Sequence, residues 1–509
     1  MKFNYLPTER WPRLSWLVRL REGSDVLDVW HGNGIETHDQ WFCEAAWAGP
    51  FEAGGFDETD IVCGSGVRLR DQAVTFVSSG STTDRLHMVR RGSEIWISNS
   101  LACVLARTGL APKPTFGSYQ RLLYSVVRGI DRYERFLPME GGEVELVYFD
   151  NLHWDGHQLR RVEKPLGDRG FQRFDDYVAF LRHCLAHIAQ NMTHPTRTTR
   201  YRFLGTLSTG YDSSTITSLA REFGLQEVIC FTKPSGRDTG TDLAKYLGVN
   251  AVEVDVDAWR QNGTSEVPFI AADVFGEDVQ YGGARHKLES RVLLTGYHGD
   301  KVWDRNTPYL SPTYVRGDPS GLALSEYRLD VGFLNCPVPF WGARRIADIN
   351  RISRSQELSP WDVGGDYTRP ICRRIVEEAG APRRVFGQQK SFAAQWLSMG
   401  EAPLTEASIA DLQRYLAEHK QSFLKRGKIP PGVSEFLDTG LMDLAYRLSG
   451  SLVRAPGLFR TGAYQWPIIG GLVNLRIPNA PCPPFVAGVR RYLFQWALSR
   501  MMIRYGSAL

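Results

Sequence analysis

The rhythm of apolar and polar positions changes near residue 170. Before it, DIVCGSGVRLR, AVTFVSS, EIWISNS and GEVELVYFD alternate or run apolar, with Gly, Asp and Ser between them. A period of two broken by turn residues predicts strands, so this part reads as a sheet domain. From Phe174 to Gln190, FDDYVAFLRHCLAHIAQ places Tyr177, Phe180, Leu181, Cys184, Leu185 and Ile188 on one helical face. Then follow the apolar strand FLGTL, a helix from about Ser213 to Phe223, the strand VICFT, a helical DTGTDLAKYLG ended by Gly248, and the strand AVEVD. Strand alternating with helix is the pattern of a parallel α/β sheet. The strand RVLLTG continues it, and the remainder reads as helices with Pro-rich breaks. The compositional break at 165–172 divides a sheet domain, 1–170, from an α/β and helical domain, 171–509.

Composition narrows the class. The chain has 509 residues, 43% hydrophobic, enough for two or three packed domains. Lys and Arg number 60 against 56 acidic residues, and a net charge of +4 is too small to argue for nucleic acid as the main partner. The eight cysteines form no CxxC or Cys/His zinc spacing, and MKFNYLPTER carries no apolar leader. The expectation is a cytoplasmic protein without a transmembrane segment, with homo-oligomerisation left open.

Candidate chemistry begins at FLGTLSTGYDSS, Phe203 to Ser214. A buried strand breaks there into a hydroxyl-rich loop just before a helix, at the end of a parallel strand where ligands of open α/β sheets bind. Unpaired N–H groups and partial positive charge at a helix start suit phosphate. Asp212 repels a bare anion, but makes sense if a divalent cation bridges carboxylate and phosphate oxygens. The loop lacks Gly-Lys-Ser/Thr, so it is not the phosphate loop of ordinary ATPases. The plain alternative is a turn whose Ser and Asp cap the helix. LLTGYHGDKVWD, Leu293 to Asp304, repeats the design and ends its Gly-containing turn at Asp300.

STGYDSS resembles the SGGxDS pyrophosphate loop of the ATP pyrophosphatase superfamily, and TGYHGD resembles the second loop of its asparagine synthetase branch. VICFT with the helix ending AKYLG, PFWGARRIADI, and EEAGAPRRVFGQQKSF resemble further segments of that branch in the same order, over about Phe174 to Phe392. The resemblance implies a degenerate glutaminase-like sheet sandwich of the Ntn type, followed by a parallel-sheet pyrophosphate-loop domain. It further implies ATP and Mg2+, adenylation of a carboxylate, and transfer of the acyl group to an amine or ammonia. By the same resemblance Leu207, Ser208, Thr209, Gly210, Tyr211, Asp212, Ser213, Phe231, Thr232 and Gly296 contact the nucleotide. Asp212 and Asp300 bind magnesium, and Lys390 is the essential Lys; a solvated loop Lys is the plain alternative.

Tyr297 stands where asparagine synthetases normally carry an acidic residue and where β-lactam synthetase carries a Tyr paired with a Glu. Glu326 falls roughly where that Glu is expected, so the two form a candidate dyad for deprotonating the amine. The plain alternatives are a packing role for Tyr297 and a surface position for Glu326. His298 and Lys301 replace a small residue and a Glu, placing titratable or positive charge near the phosphates. The beginning Met1-Lys2-Phe3 lacks the terminal Cys of glutamine-dependent synthetases, and Cys43 and Cys63 have no terminal amine. The sheet domain is therefore expected to be a scaffold, as in the β-lactam synthetase and lasso peptide cyclase branches. The substrates implied are a carboxylate and an amine of small-molecule, peptide or sugar-linked type. Arg369, Arg373 and Arg374 either bind an anionic substrate or, the favoured reading, form a solvated helix face. The C-terminal VAGVRRYLFQWALSRMMIRYG reads as a docked amphipathic helix rather than a membrane-surface one.

Thr209 occupies a position where the resemblance expects Gly. Thr209→Gly is expected to keep pyrophosphate exchange into ATP within a few fold; complete loss would show that the Thr hydroxyl itself holds ligand.

Overall fold

Strand Trp16–Arg21 shows how the first half folds: Trp16, Val18 and Leu20 face one side and Leu17 the other, as the period of two requires. The computed structural model describes residues 1–114, 116, 119–167, 169–232, 240–388, 395, 397, 404–419 and 492–506. Eight strands form one largely antiparallel sheet, which contains a parallel pairing of Lys2–Pro7 with Val26–His31, and six form a second sheet. Val18, Leu20, Val29 and Ile97 of the first sheet share a core with Phe42, Val67, Phe76 and Leu152 of the second, so the sheets pack face to face. Leu17, Trp30 and Trp96 on the outer face pack with helix Leu101–Thr108.

The second half contains a five-stranded sheet in the order Asn250–Asp255, Glu227–Thr232, Arg202–Thr206, Arg291–Thr295, Leu334–Pro337, every pairing parallel. Helices Phe174–Met192, Tyr211–Ala220 and Thr241–Leu247 flank it, close to the expected positions. The molecule is thus a mixed α/β protein with antiparallel and parallel sheets. Strands Arg202–Thr206 and Arg291–Thr295 are adjacent, which brings the two Gly-containing loops side by side.

The halves share their cores. One apolar cluster joins Leu17 and Trp30 to Ile229 and Phe269; another joins Cys63 and Phe149 to Leu294 and Phe340. Helix Leu324–Val331 crosses this seam with two charged side chains. Arg328 donates to Glu44 at 2.6 Å and to Asp84 at 2.8 Å, and all three are buried. Glu326 accepts from Ser100 Oγ at 2.8 Å and from Leu101 N at 2.8 Å, at the positive end of helix Leu101–Thr108. Helix Leu493–Ile503 docks on helices Val267–Asp273 and Leu101–Thr108 and buries Phe494, Trp496 and Leu498, in line with the docked reading. Arg490 and Arg491 lie outside the described residues. Among the described residues no helix is long and apolar enough to cross a membrane.

Removing one partner of a buried ion pair leaves the other charge uncompensated, at a cost of about 3–5 kcal/mol. Arg328→Ala is expected to lower the unfolding free energy in urea by that order; a loss below about 1 kcal/mol would show that the seam does not depend on it.

Candidate functional site

The STGYDSS loop follows strand Arg202–Thr206 and closes on itself before helix Tyr211–Ala220. Ser208 N donates to Ser213 Oγ at 3.0 Å, Gly210 N donates to Ser208 Oγ at 3.2 Å, and the two hydroxyls lie 3.1 Å apart. One hydroxyl hydrogen serves that contact and the other can be donated outward. Ser208, Thr209, Gly210, Asp212 and Ser213 are half-buried, whereas Leu207 and Tyr211 are fully buried. Leu207 extends the sheet through its N–H to Ile229 O at 2.9 Å. Tyr211 accepts from Arg373 and packs on Tyr367 and Phe386, so it anchors the helix from behind. Thr209 is not among the residues at positive φ, which is why a side chain is tolerated where the resemblance expects Gly.

The second loop reaches Asp212 because two positions carry no side chain. A Cβ on Gly296 would lie 2.7 Å from Asp212 Cβ, and one on Gly299 2.6 Å from Asp212 Oδ1. Asp300 lies in the first turn of the short helix Gly299–Val302 and pairs with Lys301 at 3.0 Å. A third approach comes from Arg369, fixed just outside helix Pro370–Glu378 by the Pro at its first position. Arg369 is 4% exposed and ion-paired to Asp212, and the charge of Asp300 also bears on it. The solvated-face expectation therefore fails for Arg369 and Arg373, which are buried in ion-pair and hydrogen-bond contacts. Arg374 alone keeps surface-type pairs, to Glu357 and Glu378. Gly387 N donates to Thr209 O at 2.7 Å, tying the segment before Lys390 to the loop. Lys390 lies outside the described residues.

Phe231 and Thr232 end the neighbouring strand, half-buried, and Phe231 meets Tyr281 edge-on with ring centres 5.0 Å apart. His298 is buried at φ +75°, a conformation that suits a small residue or Gly, and burial pushes its imidazole down to about 3. It therefore adds no charge near the loops, contrary to expectation. Cys43 is likewise buried, its thiol pushed up to about 12 by loss of solvent.

Tyr297 and Glu326 are not brought together. Glu326 is committed to Ser100 and Leu101, whereas the Tyr297 hydroxyl donates to that of Tyr281 at 3.5 Å and lies within the field of the Asp278 carboxylate. Burial, with the charge of Asp278 next, holds the Tyr297 phenol well above its usual range. Asp278, rather than Glu326, is the carboxylate whose charge acts most on Tyr297. Gly299 and Asp278 carry no local signal as site residues in the sequence, whereas Arg369 is a candidate anion binder there whose favoured solvated position is overturned by burial.

Chemically, a helix N-terminus, outward hydroxyls and Arg369 can hold phosphate, and two carboxylates are hard donors of the kind Mg2+ prefers. Among the described residues no group of three or more His, Cys, Asp or Glu is arranged to hold a metal by itself. The remaining positions of an octahedral ion would fall to phosphate and water oxygens, as is usual for Mg2+. A groove of about 590 Å³ lined by Arg202, Glu227, Asn250 and Arg291 opens at the opposite, N-terminal ends of the strands. No protein-family model matches the chain, and no curated protein matches it closely.

Asp273 is wholly buried, and desolvation, eased by the amides of Gly276 and Phe275 but reinforced by the charge of Asp278, pushes its carboxyl up to about 8. The folded state thus keeps a proton that the unfolded chain releases near pH ~3.9. The resulting stabilisation is full below that pH and is lost as pH rises through about 8. Asp273→Asn is expected to flatten the fall in melting temperature between about pH 5 and pH 9; profiles parallel to wild type would contradict it.

Proposed function

We propose that the chain is an ATP-dependent, AMP-forming amide ligase of the asparagine synthetase-like type, acting without glutamine hydrolysis. The observation that carries this reading is the convergence of Asp212, Asp300 and Arg369 at the ends of two adjacent parallel strands. The loop would hold the β and γ phosphates of ATP as the leaving group while a carboxylate attacks the α phosphorus. Asp212 and Asp300 would hold Mg2+, which supplies charge neutralisation on the phosphate oxygens. Arg369 would stabilise negative charge on departing pyrophosphate, its pairing shifting from Asp212 to phosphate as ligand enters. Tyr297, backed by Asp278, would take the proton of the attacking amine. An asparagine synthetase fed by ammonia is the narrower form of the same reading.

A second reading is a nucleotide-binding regulator that has lost catalysis. It is favoured by the ion pairs already made by both carboxylates, Asp212 with Arg369 and Asp300 with Lys301.

Exchange of labelled pyrophosphate into ATP, driven by pools of carboxylic acids, decides between them. The ligase exchanges with a particular acid, and aspartate as that acid marks the synthetase; ATP binding without exchange marks the regulator. Asp212→Asn is expected to lower exchange by about 10²-fold or more. Tyr297→Phe is expected to leave exchange intact while lowering amide formation by about 10²–10⁴-fold. Amide formation undiminished in Tyr297→Phe would remove the phenol from the mechanism.

A further inference from the structure

Where the two halves meet, two thiols from opposite sides of the seam touch. Cys63 stands on strand Val62–Arg70 of the second antiparallel sheet, and Cys336 on strand Leu334–Pro337 at the edge of the parallel sheet. The two strands pack on each other, and Cys63 Sγ lies 2.8 Å from Cys336 Sγ. Both residues are free cysteines, and both are buried. A disulfide bond is about 2.0 Å long, so less than ~1 Å of approach separates this contact from a bond.

A free Cys is usually a small buried hydrophobe packed among carbon atoms. Cys63 and Cys336 instead meet sulfur to sulfur, across 273 positions of sequence. Holding two reacting atoms together raises their effective concentration far above that of a pair brought together by diffusion. Cys184, Cys230 and Cys372 share the same apolar cluster, so a preference for Cys63 with Cys336 comes from geometry and not from the supply of thiols.

The strand that carries Cys336 is also tied to the second loop. Cys336 pairs with Leu294 in the sheet register. Its neighbour Asn335 accepts from Thr295 Oγ1 at 3.2 Å and donates to Thr83 Oγ1 at 3.3 Å. Thr295 immediately precedes Gly296 and Tyr297. A bond at Cys336 therefore fastens the strand beside that loop to the antiparallel half.

We propose that Cys63 and Cys336 are a redox modification site that closes to a disulfide when the protein meets a small hydroperoxide. The site is independent of the ligase reading. In the first step a thiolate of the pair attacks a peroxide oxygen: an S–O bond forms, the O–O bond breaks and hydroxide leaves. The other sulfur then attacks the sulfenic sulfur, the S–S bond forms, the S–O bond breaks and a second hydroxide leaves. The two thiol protons convert both hydroxides to water, so two thiols lose two electrons and one peroxide gains them. Burial pushes the Cys336 thiol well above its usual range, so the pair reacts slowly, during brief openings of the seam. Once formed, the bond links residues 273 positions apart, constrains the unfolded chain and favours the folded state.

The test treats the full chain, freed of reductant, with hydrogen peroxide, then alkylates it under denaturing conditions and digests it without reduction. Mass spectrometry is expected to find a peptide joining Cys63 to Cys336, two hydrogens lighter than its parts and lost after dithiothreitol. The melting temperature is expected to rise by several degrees on oxidation and to return on reduction. Cys184→Ser is expected to keep both effects, and Cys63→Ser to lose both. Should Cys63→Ser fail to fold, Cys336→Ala takes its place, and the wild-type peptide decides by itself. Absence of that peptide, a peptide joining either cysteine to Cys184 instead, or a rise that survives the loss of Cys63 overturns the site.

Discussion

Asp212 can meet the second loop only because Gly296 and Gly299 present no side chain to it. This steric constraint organises the centre of the molecule. It lets the ends of two adjacent parallel strands approach until one carboxylate and one guanidinium, Asp212 and Arg369, form an ion pair between loop and helix start. The pair in turn sets where helix Pro370–Glu378 begins, and through Arg373 and Tyr211 it fixes the back of the loop. A methyl group at either glycine would push these elements apart before any ligand arrived.

The electrostatics of the two sides of Tyr297 differ for a physical reason. Near the loops, each carboxylate has its own cation: Asp212 has Arg369 and Asp300 has Lys301. Beyond Tyr297, Asp273, Glu277 and Asp278 are buried together, and loss of solvent is the first cause that raises each carboxyl. The helix that carries Glu326 and Arg328 holds the antiparallel half against this region, so the scaffold and the candidate site share their support.

Much of the fold was legible in local pattern. Strands Glu227–Thr232 and Arg291–Thr295, and helix Phe174–Met192 with its apolar face, fall where periodicity places them, because side-chain direction repeats with the backbone. The place of the two loops at strand ends was legible, but their adjacency came from the pairing of strands Arg202–Thr206 and Arg291–Thr295. The boundary near 170 marks a real change from antiparallel to parallel pairing, yet the cores run across it, since contact between halves leaves no periodic trace in either.

What the chain determined by itself was therefore the kind and order of its elements and the chemistry of STGYDSS and TGYHGD. The tertiary structure alone decided which groups face one another. It set Tyr297 against Tyr281 and sent Glu326 to the end of helix Leu101–Thr108. It buried Arg369 against a residue 157 positions away. It also packed Tyr124 on Phe275, 151 positions away, with ring centres 5.0 Å apart. Partnerships between distant residues depend on how faces pack and where burial removes water, and neither is written in the local spacing of residues.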